Sequence, residues 1–509
     1  MDFEVFSVSL IDNILMGFSI TFEPFNIMVC FIGVLVGTLV GVLPGLGPAA
    51  AISLLLPTTF RLDVTSSIIM LAGIYYGAMY GGSTTSILVN IPGESSSVVT
   101  CLDGYQMARK GRAGPALGIS AFSSFIAGTL SVVALMLMAP PLGEMALKFG
   151  PPEYFSLMFM GLTLIAFLSS GSMSKAMLMA SFGLFLGTIG LDAMTATSRF
   201  TLGTMTLLDG VGLVPVVMGL FGIGEVLSNL EQPVRREIFK PKIDRLLPTV
   251  QDWIDSTWPI IRGTLVGFFL GILPGGGAVL SSFASYAMEK RFSKSPEKFG
   301  TGMIAGVAGP EAANNSATSG AFIPLLSLGI PGTAVMAIML GALMLHGIQP
   351  GPLLIKDHPN IFWGVVTSMY VGNVMLLVLN LPLIGLWVRI LKVRYSILFP
   401  LILVFCLIGS YSLKNNIGDI LIVVIFGVIG YLMRKYEYET PPLILAFVLG
   451  NRIEVSLRQS FLLSDGSPLI FFQRPISLVF MLVAAFLLVS PMIPAIKKKK
   501  SVLDDKQIL

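Results

Sequence analysis

GVLPGLGPAAAISLLLPTTF, residues 41–60, and GILPGGGAVLSSFASYAMEK, residues 271–290, decide how this chain is read. Gly41, Leu43, Pro44, Gly45 and Gly47 fall on Gly271, Leu273, Pro274, Gly275 and Gly277 at a constant shift of 230 residues. Each stretch lies in apolar sequence and interrupts it with a Pro-Gly element, where a backbone donor is missing and helix is disfavoured. Further on, GGSTTSILVNIPG at 81–93 is answered by NNSATSGAFIPLLSLGIPG at 314–332, both ending in Ile-Pro-Gly. Gly114-Pro115 then recurs as Gly351-Pro352. The same landmarks in the same order, twice, are an internal repeat.

Around these stretches the 509 residues are 54% hydrophobic and only 12% charged, with a mean hydropathy of +0.85. That charged share is about half that of a soluble protein, and it excludes a soluble body, a disordered chain and a secreted disulfide scaffold. A helical crossing takes roughly 20 apolar residues, so the composition predicts an all-α polytopic membrane protein of about 12 transmembrane segments. Plain apolar runs are read at 7–22, 116–139, 153–170, 176–191, 210–228, 361–388, 396–412, 417–433 and 476–495. Regions 26–108 and 258–350 are interrupted by Gly and Pro and predict re-entrant or broken-helix hairpins. The halves on either side of Pro274 are about 15 residues each, near 22 Å if helical and too short for a 30 Å core.

Lys and Arg cluster at Arg109–Arg112, Arg235–Arg245, Lys290–Lys298, Arg389–Arg394, Arg434–Lys435 and Lys497–Lys500. Placed on one face with Lys175 and Lys506 they account for 23 of the 32 basic residues, which assigns that face and both termini to the cytoplasm. The loop after the first Pro-Gly element carries Arg61 and falls outside, whereas that after the second, Lys290–Lys298, falls inside. The repeat is therefore inverted. The expected division is a first half at 1–228, a cytoplasmic basic linker at 229–257, a second half at 258–496 and a basic tail at 497–509. The start, MDFEVFSVSL, is acidic where a signal peptide is basic, so no cleaved leader is expected.

Inverted repeats with paired Gly/Pro-interrupted segments mark secondary transporters, whose sites form where discontinuous helices meet. Non-helical backbone at that depth is tolerated when buried in protein or lining a polar cavity. Helix N-termini at Gly45–Ala49, Gly93–Ser97, Gly275–Ala278 and Gly332–Ala334 offer free N–H groups suited to a carboxylate. Ser83, Thr84 and Thr85, with Asn314, Asn315, Ser316 and Thr318, offer oxygen ligands for a cation. Small residues in membrane helices also serve close packing, but two polar clusters in matched positions favour a site. Glu311, Glu94 and Asp103 read equally as ion sites or as interfacial carboxylates. Cys30, Cys101 and Cys406 lack metal spacing and read as packing residues. With only His346 and His358 no triad or metal centre is assembled, so no enzyme, no bound cofactor and no nucleic-acid partner is expected. An anion channel and a membrane enzyme stay open as alternatives.

At these motifs the chain resembles the large membrane subunit of the tripartite tricarboxylate transporters, the TctA family. GVLPGLGPAAAISLLLP, YGGSTTSILVNIPGE, GILPGGGA and PEAANNSATSGAFIPLLSLGIPG are similar to that family's hallmark segments, over about residues 20–460. The resemblance implies an inner-membrane permease that works with a periplasmic solute-binding protein and a small membrane subunit of about four helices. It implies uptake of citrate-like carboxylates driven by a Na+ or H+ gradient. The substrate-binding residues expected are Pro44, Gly45, Gly47, Ser83, Thr84, Thr85, Pro274, Gly275, Gly277, Asn314, Asn315, Ser316 and Thr318. The inverted hairpins lead us to expect elevator-like movement of a core against a scaffold.

Overall fold

The computed structural model describes residues 3–43, 46–169, 172–231, 246–390 and 395–490. The chain enters as α1 (Phe3–Thr21) and α2 (Pro24–Val42), then α3 (Pro48–Thr59), α4 (Val64–Val89), the short α5 (Val98–Arg109) and the long α6 (Ala113–Ala146). α7 (Pro151–Leu168) and α8 (Met173–Gly187) lead into a small antiparallel ribbon, β1 (Gly190–Leu191) with β2 (Ser198–Arg199). α9 (Leu213–Val217), a π-helical turn (Met218–Ile223) and α10 (Gly224–Glu231) follow as one continuous rod. Beyond residue 245 come α11 (Val250–Ile272), α12 (Gly277–Phe292), α13 (Ala305–Gly320), a π-helical turn (Pro324–Leu328), α14 (Ala334–Leu345), α15 (Pro352–Asp357) and α16 (Pro359–Asn380). The chain continues as α17 (Ile384–Ile390), α18 (Tyr395–Lys414), α19 (Ile417–Lys435), α20 (Thr440–Leu463), α21 (Ile470–Gln473) and α22 (Pro475–Val489).

Six of the described helices are long and apolar enough to cross a membrane: Pro24–Val42, Ala113–Ala146, Pro151–Leu168, Leu213–Glu231, Pro359–Asn380 and Ile417–Lys435. The outer helices present apolar stripes to their surroundings. On α19, Leu421, Val424, Ile425, Val428 and Leu432 are exposed while Ile422, Val423 and Phe426 are buried. Large apolar side chains on the outside are stable against lipid rather than water. The centre is held by α4 and α13, which are buried on every side.

The same glycine packing occurs twice. A methyl group on Gly33, Gly37 or Gly41 of α2 would overlap the carbonyls of Met70, Ile74 and Ala78 on α4. A methyl group on Gly263, Gly267 or Gly271 of α11 would likewise overlap those of Gly309, Ala313 and Ala317 on α13. The first helices are related by the shift of 230 residues and their partners by one of 239. Small residues every fourth position let two backbones approach, which replaces the hydrophobic driving force that lipid does not supply. The match extends to the ends of the packed helices. Asn90 (φ 57°) closes α4 and Gly329 (φ 69°), 239 residues on, closes the turn after α13, both left-handed.

Several sequence expectations change. The segment before Pro274 is not a short half: the Thr249–Asp252 capping box starts α11 at Val250, giving 23 residues or about 34 Å. Only α12, at 16 residues, is short for a crossing. The run at 361–388 divides into α16 and α17 around Leu381-Pro382. α20 was not expected at all, because Asn451, Arg452, Glu454 and Arg458 interrupt its apolar pattern; Glu454 and Arg458 are held in ion pairs with Arg199 and Asp192. The two polar clusters are also not matched. The shift of 239 carries Gly81, packed on the Thr38 carbonyl, onto Gly320, packed on that of Phe268, so NNSATS answers Tyr75–Tyr80 and lies six residues out of step with GGSTTS. The basic tail and residues 232–245 of the basic linker lie outside the described residues.

Candidate functional site

The chain breaks of the two repeats lie against their own helices, with Gly93 ahead of α5, Gly277 at the start of α12 and Ala334 at the start of α14 buried. Gly93 seats on Gly41 and Gly82, so close that a side chain there would enter the Gly41 carbonyl. In the second repeat the Gly275 N–H donates to the Gly332 carbonyl at 2.9 Å, and Gly275 takes a left-handed φ of 80° that a side chain would strain. Each Ile-Pro-Gly is followed by a capped helix N-terminus. Glu94 accepts from the Ser96 N–H at 2.6 Å ahead of α5, and Thr333, 239 residues later, accepts from the Met336 N–H at 3.2 Å ahead of α14.

Between the repeats lies a buried polar core. Glu311 on α13 is 1% exposed, and its carboxylate accepts from Ser83 at 2.6 Å, from Thr100 and from Ser124 at 3.4 Å. Asn315 Nδ2 donates to Ser124 Oγ at 2.8 Å, and Asn314 Nδ2 reaches Glu94 Oε1 at 3.4 Å. Asn314 Oδ1 is buried without a hydrogen-bond partner. The ion pairs among the described residues lie elsewhere, among them Arg262–Glu289, Arg112–Asp252 and Arg474–Glu153. Neither Glu94 nor Glu311 shares a salt bridge there.

Asp103 has a different role. Its carboxylate accepts the backbone N–H groups of Gly300, Gly302 and Met303 and the Tyr286 hydroxyl, at 2.7–3.0 Å. It thereby ties α5 to the loop before α13.

Of the expected site residues, Pro44 and Gly45 lie outside the described residues. Gly47 starts α3, and a Cβ built on it meets nothing within 4 Å. Gly277, its counterpart, starts α12 beside Thr333. Pro274 and Gly275 pack on Gly161 and Ile165 of α7. Ser83, Asn314 and Asn315 meet around the two glutamates. Thr84 lines a small neighbouring cavity, about 10 Å³ and room for about one water, with Tyr80, Ser120 and Asn380. Thr85 and Ser316 instead spend their hydroxyls on the Val42 and Thr264 carbonyls of the packed helices, at 2.8 and 2.7 Å. Thr318 bonds to Asn314 O within its own helix at 3.0 Å. Thr100, Ser120 and Ser124 were missed. The one signal available was Ser120, Ser123 and Ser124 together in an apolar run.

Residues 27–445 match the model of the tripartite tricarboxylate transporter TctA family. The chain belongs to the TctA family. As a TctA-family protein it is a multi-pass membrane transporter component for tricarboxylates rather than an enzyme. It is similar to an Agrobacterium vitis protein described as "Uncharacterized 52.8 kDa protein in TAR-I ttuC' 3'region", 50% identical over 97% of this chain and 98% of that protein. A second A. vitis protein, "Uncharacterized protein in TAR-II ttuC' 3'region", is 47% identical over 46% of this chain and 97% of its own length. No solved structure matches.

Proposed function

We propose that this TctA-family chain is the large permease subunit of an inner-membrane carboxylate importer, with both termini cytoplasmic and its two repeats inverted. A periplasmic binding protein delivers the substrate, a small membrane subunit accompanies the permease, and an ion gradient drives uptake. The observation that carries this reading is the duplicated break: Gly93 on Gly41 and Gly332 by Gly271 and Pro274 leave the chain ahead of α5 and α14 buried. The first-turn N–H groups that the Glu94 and Thr333 caps leave over, with the helix dipole, favour carboxylates without the cost of intramembrane Arg or Lys. Gly47, with free space before it, is the position where a carboxylate approaches the backbone of α3. Movement is elevator-like, the helices bearing the breaks sliding as a body against α7, α18 and their neighbours.

The reading is tested by ligand-induced stabilisation of the purified complex of this chain with its small subunit. A cognate di- or tricarboxylate at 100 times its Kd adds about 2.7 kcal/mol, seen as a raised Tm that the matching amide does not give. A carboxylate panel that neither raises Tm nor is taken up overturns it.

A further inference from the structure

We propose that Glu311 carries the coupling proton, and that the proton leaves through the polar cavity at Ser120 and Asn380. This rests on the importer reading above and names the ion that drives it.

The partners of Glu311 set it apart from the other buried carboxylates. Asp103 is held by three backbone N–H groups, which can only donate. Glu289 is locked on Arg262 at 2.6 Å. Glu311 meets only the hydroxyls of Ser83, Thr100 and Ser124. A hydroxyl donates to a carboxylate and, rotated, accepts from a carboxyl O–H, so this shell serves both protonation states. A hard cation instead needs a shell of several free oxygens, whereas both oxygens of Glu311 are already engaged.

A route out is present. The small cavity beside Thr84, about 10 Å³ and room for about one water, is lined by Tyr80, Ser120 and Asn380. Ser120 stands one turn before Ser124 on α6, and Ser124 bonds to Glu311 at 3.4 Å, which sets the cavity one helical turn from the carboxylate. Asn380 is 4% exposed and its Oδ1 is buried without a partner, a polar atom that water in the cavity would satisfy. Ser120 lies seven residues into α6 from Ala113, and Asn380 closes α16, which sets the cavity toward the end bearing Arg109–Arg112. The titratable groups interacting with Glu311 from other elements are Tyr80 on α4, Glu94 before α5 and Cys101 on α5. On α12, Tyr286 is engaged by Asp103 and Glu289 by Arg262. The step balances simply. A proton from water on the outer side forms the Glu311 carboxyl O–H, and that bond breaks to cavity water after the core has moved inward.

The test uses the complete system in proteoliposomes, with binding protein, a radiolabelled tricarboxylate and a lumenal pH dye. Wild-type protein is expected to bring protons into the lumen with substrate, and to accumulate substrate under a pH gradient but not under a Na+ gradient alone. Glu311→Gln is expected to lose pH-driven accumulation to the level of protein-free vesicles, its remaining substrate exchange being flat with pH. Asn380→Leu, which fills the cavity, is expected to slow net uptake more than exchange, and decides the matter with the wild-type dye signal if Glu311→Gln does not fold. Accumulation by Glu311→Gln under a pH gradient, or wild-type uptake driven by Na+ without proton entry, overturns the assignment while leaving the importer reading intact. Wild-type protein that takes up no carboxylate under any gradient overturns the importer reading itself.

Discussion

Ser83 Oγ on α4 donates a 2.6 Å hydrogen bond to Glu311 Oε2 on α13, joining the two central helices across 228 positions of the chain. Because Glu311 is buried, losing the Thr100 hydroxyl strips Oε1 of its donor and losing that of Ser83 leaves Oε2 only the 3.4 Å bond from Ser124, each at a cost of about 1–3 kcal/mol. Ser83→Ala and Thr100→Ala are each expected to lower stability by that amount and to reduce uptake. The double variant should fall short of the sum, since both serve one carboxylate. Thermal unfolding in detergent measures this, and two unchanged midpoints would refute the contact's importance.

The glycine contacts of α2 with α4 and of α11 with α13 make a symmetric prediction. Gly37→Leu and Gly267→Leu push a side chain into the Ile74 and Ala313 carbonyls. Overpacking of this kind costs about 1–3 kcal/mol and often more where backbone cannot yield. Both variants are expected to lose membrane accumulation, read by quantitative blot. Gly385→Ala, on α17 with nothing within 4 Å of its Cβ, is expected to stay within about 0.5 kcal/mol of wild type.

Gly47 separates packing from function. Its backbone (φ −76°, ψ 165°) suits any residue and its Cβ would meet nothing within 4 Å. Gly47→Ala is therefore expected to fold with an unchanged Tm while raising the substrate concentration needed for half-maximal uptake. Equal uptake at all concentrations would remove Gly47 from the site.

How much was legible in the sequence follows from where the signal is local. Pro-Gly and Ile-Pro-Gly break a helix wherever they stand, so the breaks at 273–276 and 90–97 and their repetition could be read directly. The glycine series at 33, 37, 41 and 263, 267, 271 was equally visible, but which carbonyls it approaches is set by a partner helix far along the chain. The same limit hid Thr100 and Ser124, each an ordinary hydroxyl until α13 places Glu311 beside it. It also hid that the hydroxyls of Thr85 and Ser316 bond to the carbonyls of packed helices. α20 went unread because its charges break an apolar run, and their partners, Asp192 and Arg199, lie more than 250 residues away.

The ribbon at β1 and β2 predicts an acid-sensitive element. Asp192 accepts from the backbone N–H groups of Thr195 and Met194, at 2.9 and 2.8 Å, and from Arg458 at 2.7 Å. The Thr195 N–H first, and then Arg458, hold its carboxyl well below the usual carboxylate range. A depressed folded value contributes stability above the unfolded value, and that contribution is lost as pH falls through the folded one. Asp192→Asn is thus expected to speed amide exchange at 190–199 at neutral pH, with the difference narrowing as the wild type is acidified. A difference independent of pH would refute the ionised role.

Elevator movement is tested where α3 meets α18. A Cβ on Gly409 would lie 3.7 Å from that of Pro57, within the disulfide range. Pro57→Cys with Gly409→Cys, in a background with Cys406→Ser, is expected to stop uptake on oxidation and restore it on reduction. Full transport by the oxidised protein would mean that α3 and α18 do not part.

The most direct test is uptake of labelled carboxylates into proteoliposomes holding this chain and its small subunit, with binding protein added or omitted and Na+ and pH gradients imposed separately. Uptake that requires both the binding protein and one gradient is the predicted result. Uptake indifferent to both would be the behaviour of an anion channel and would contradict the account.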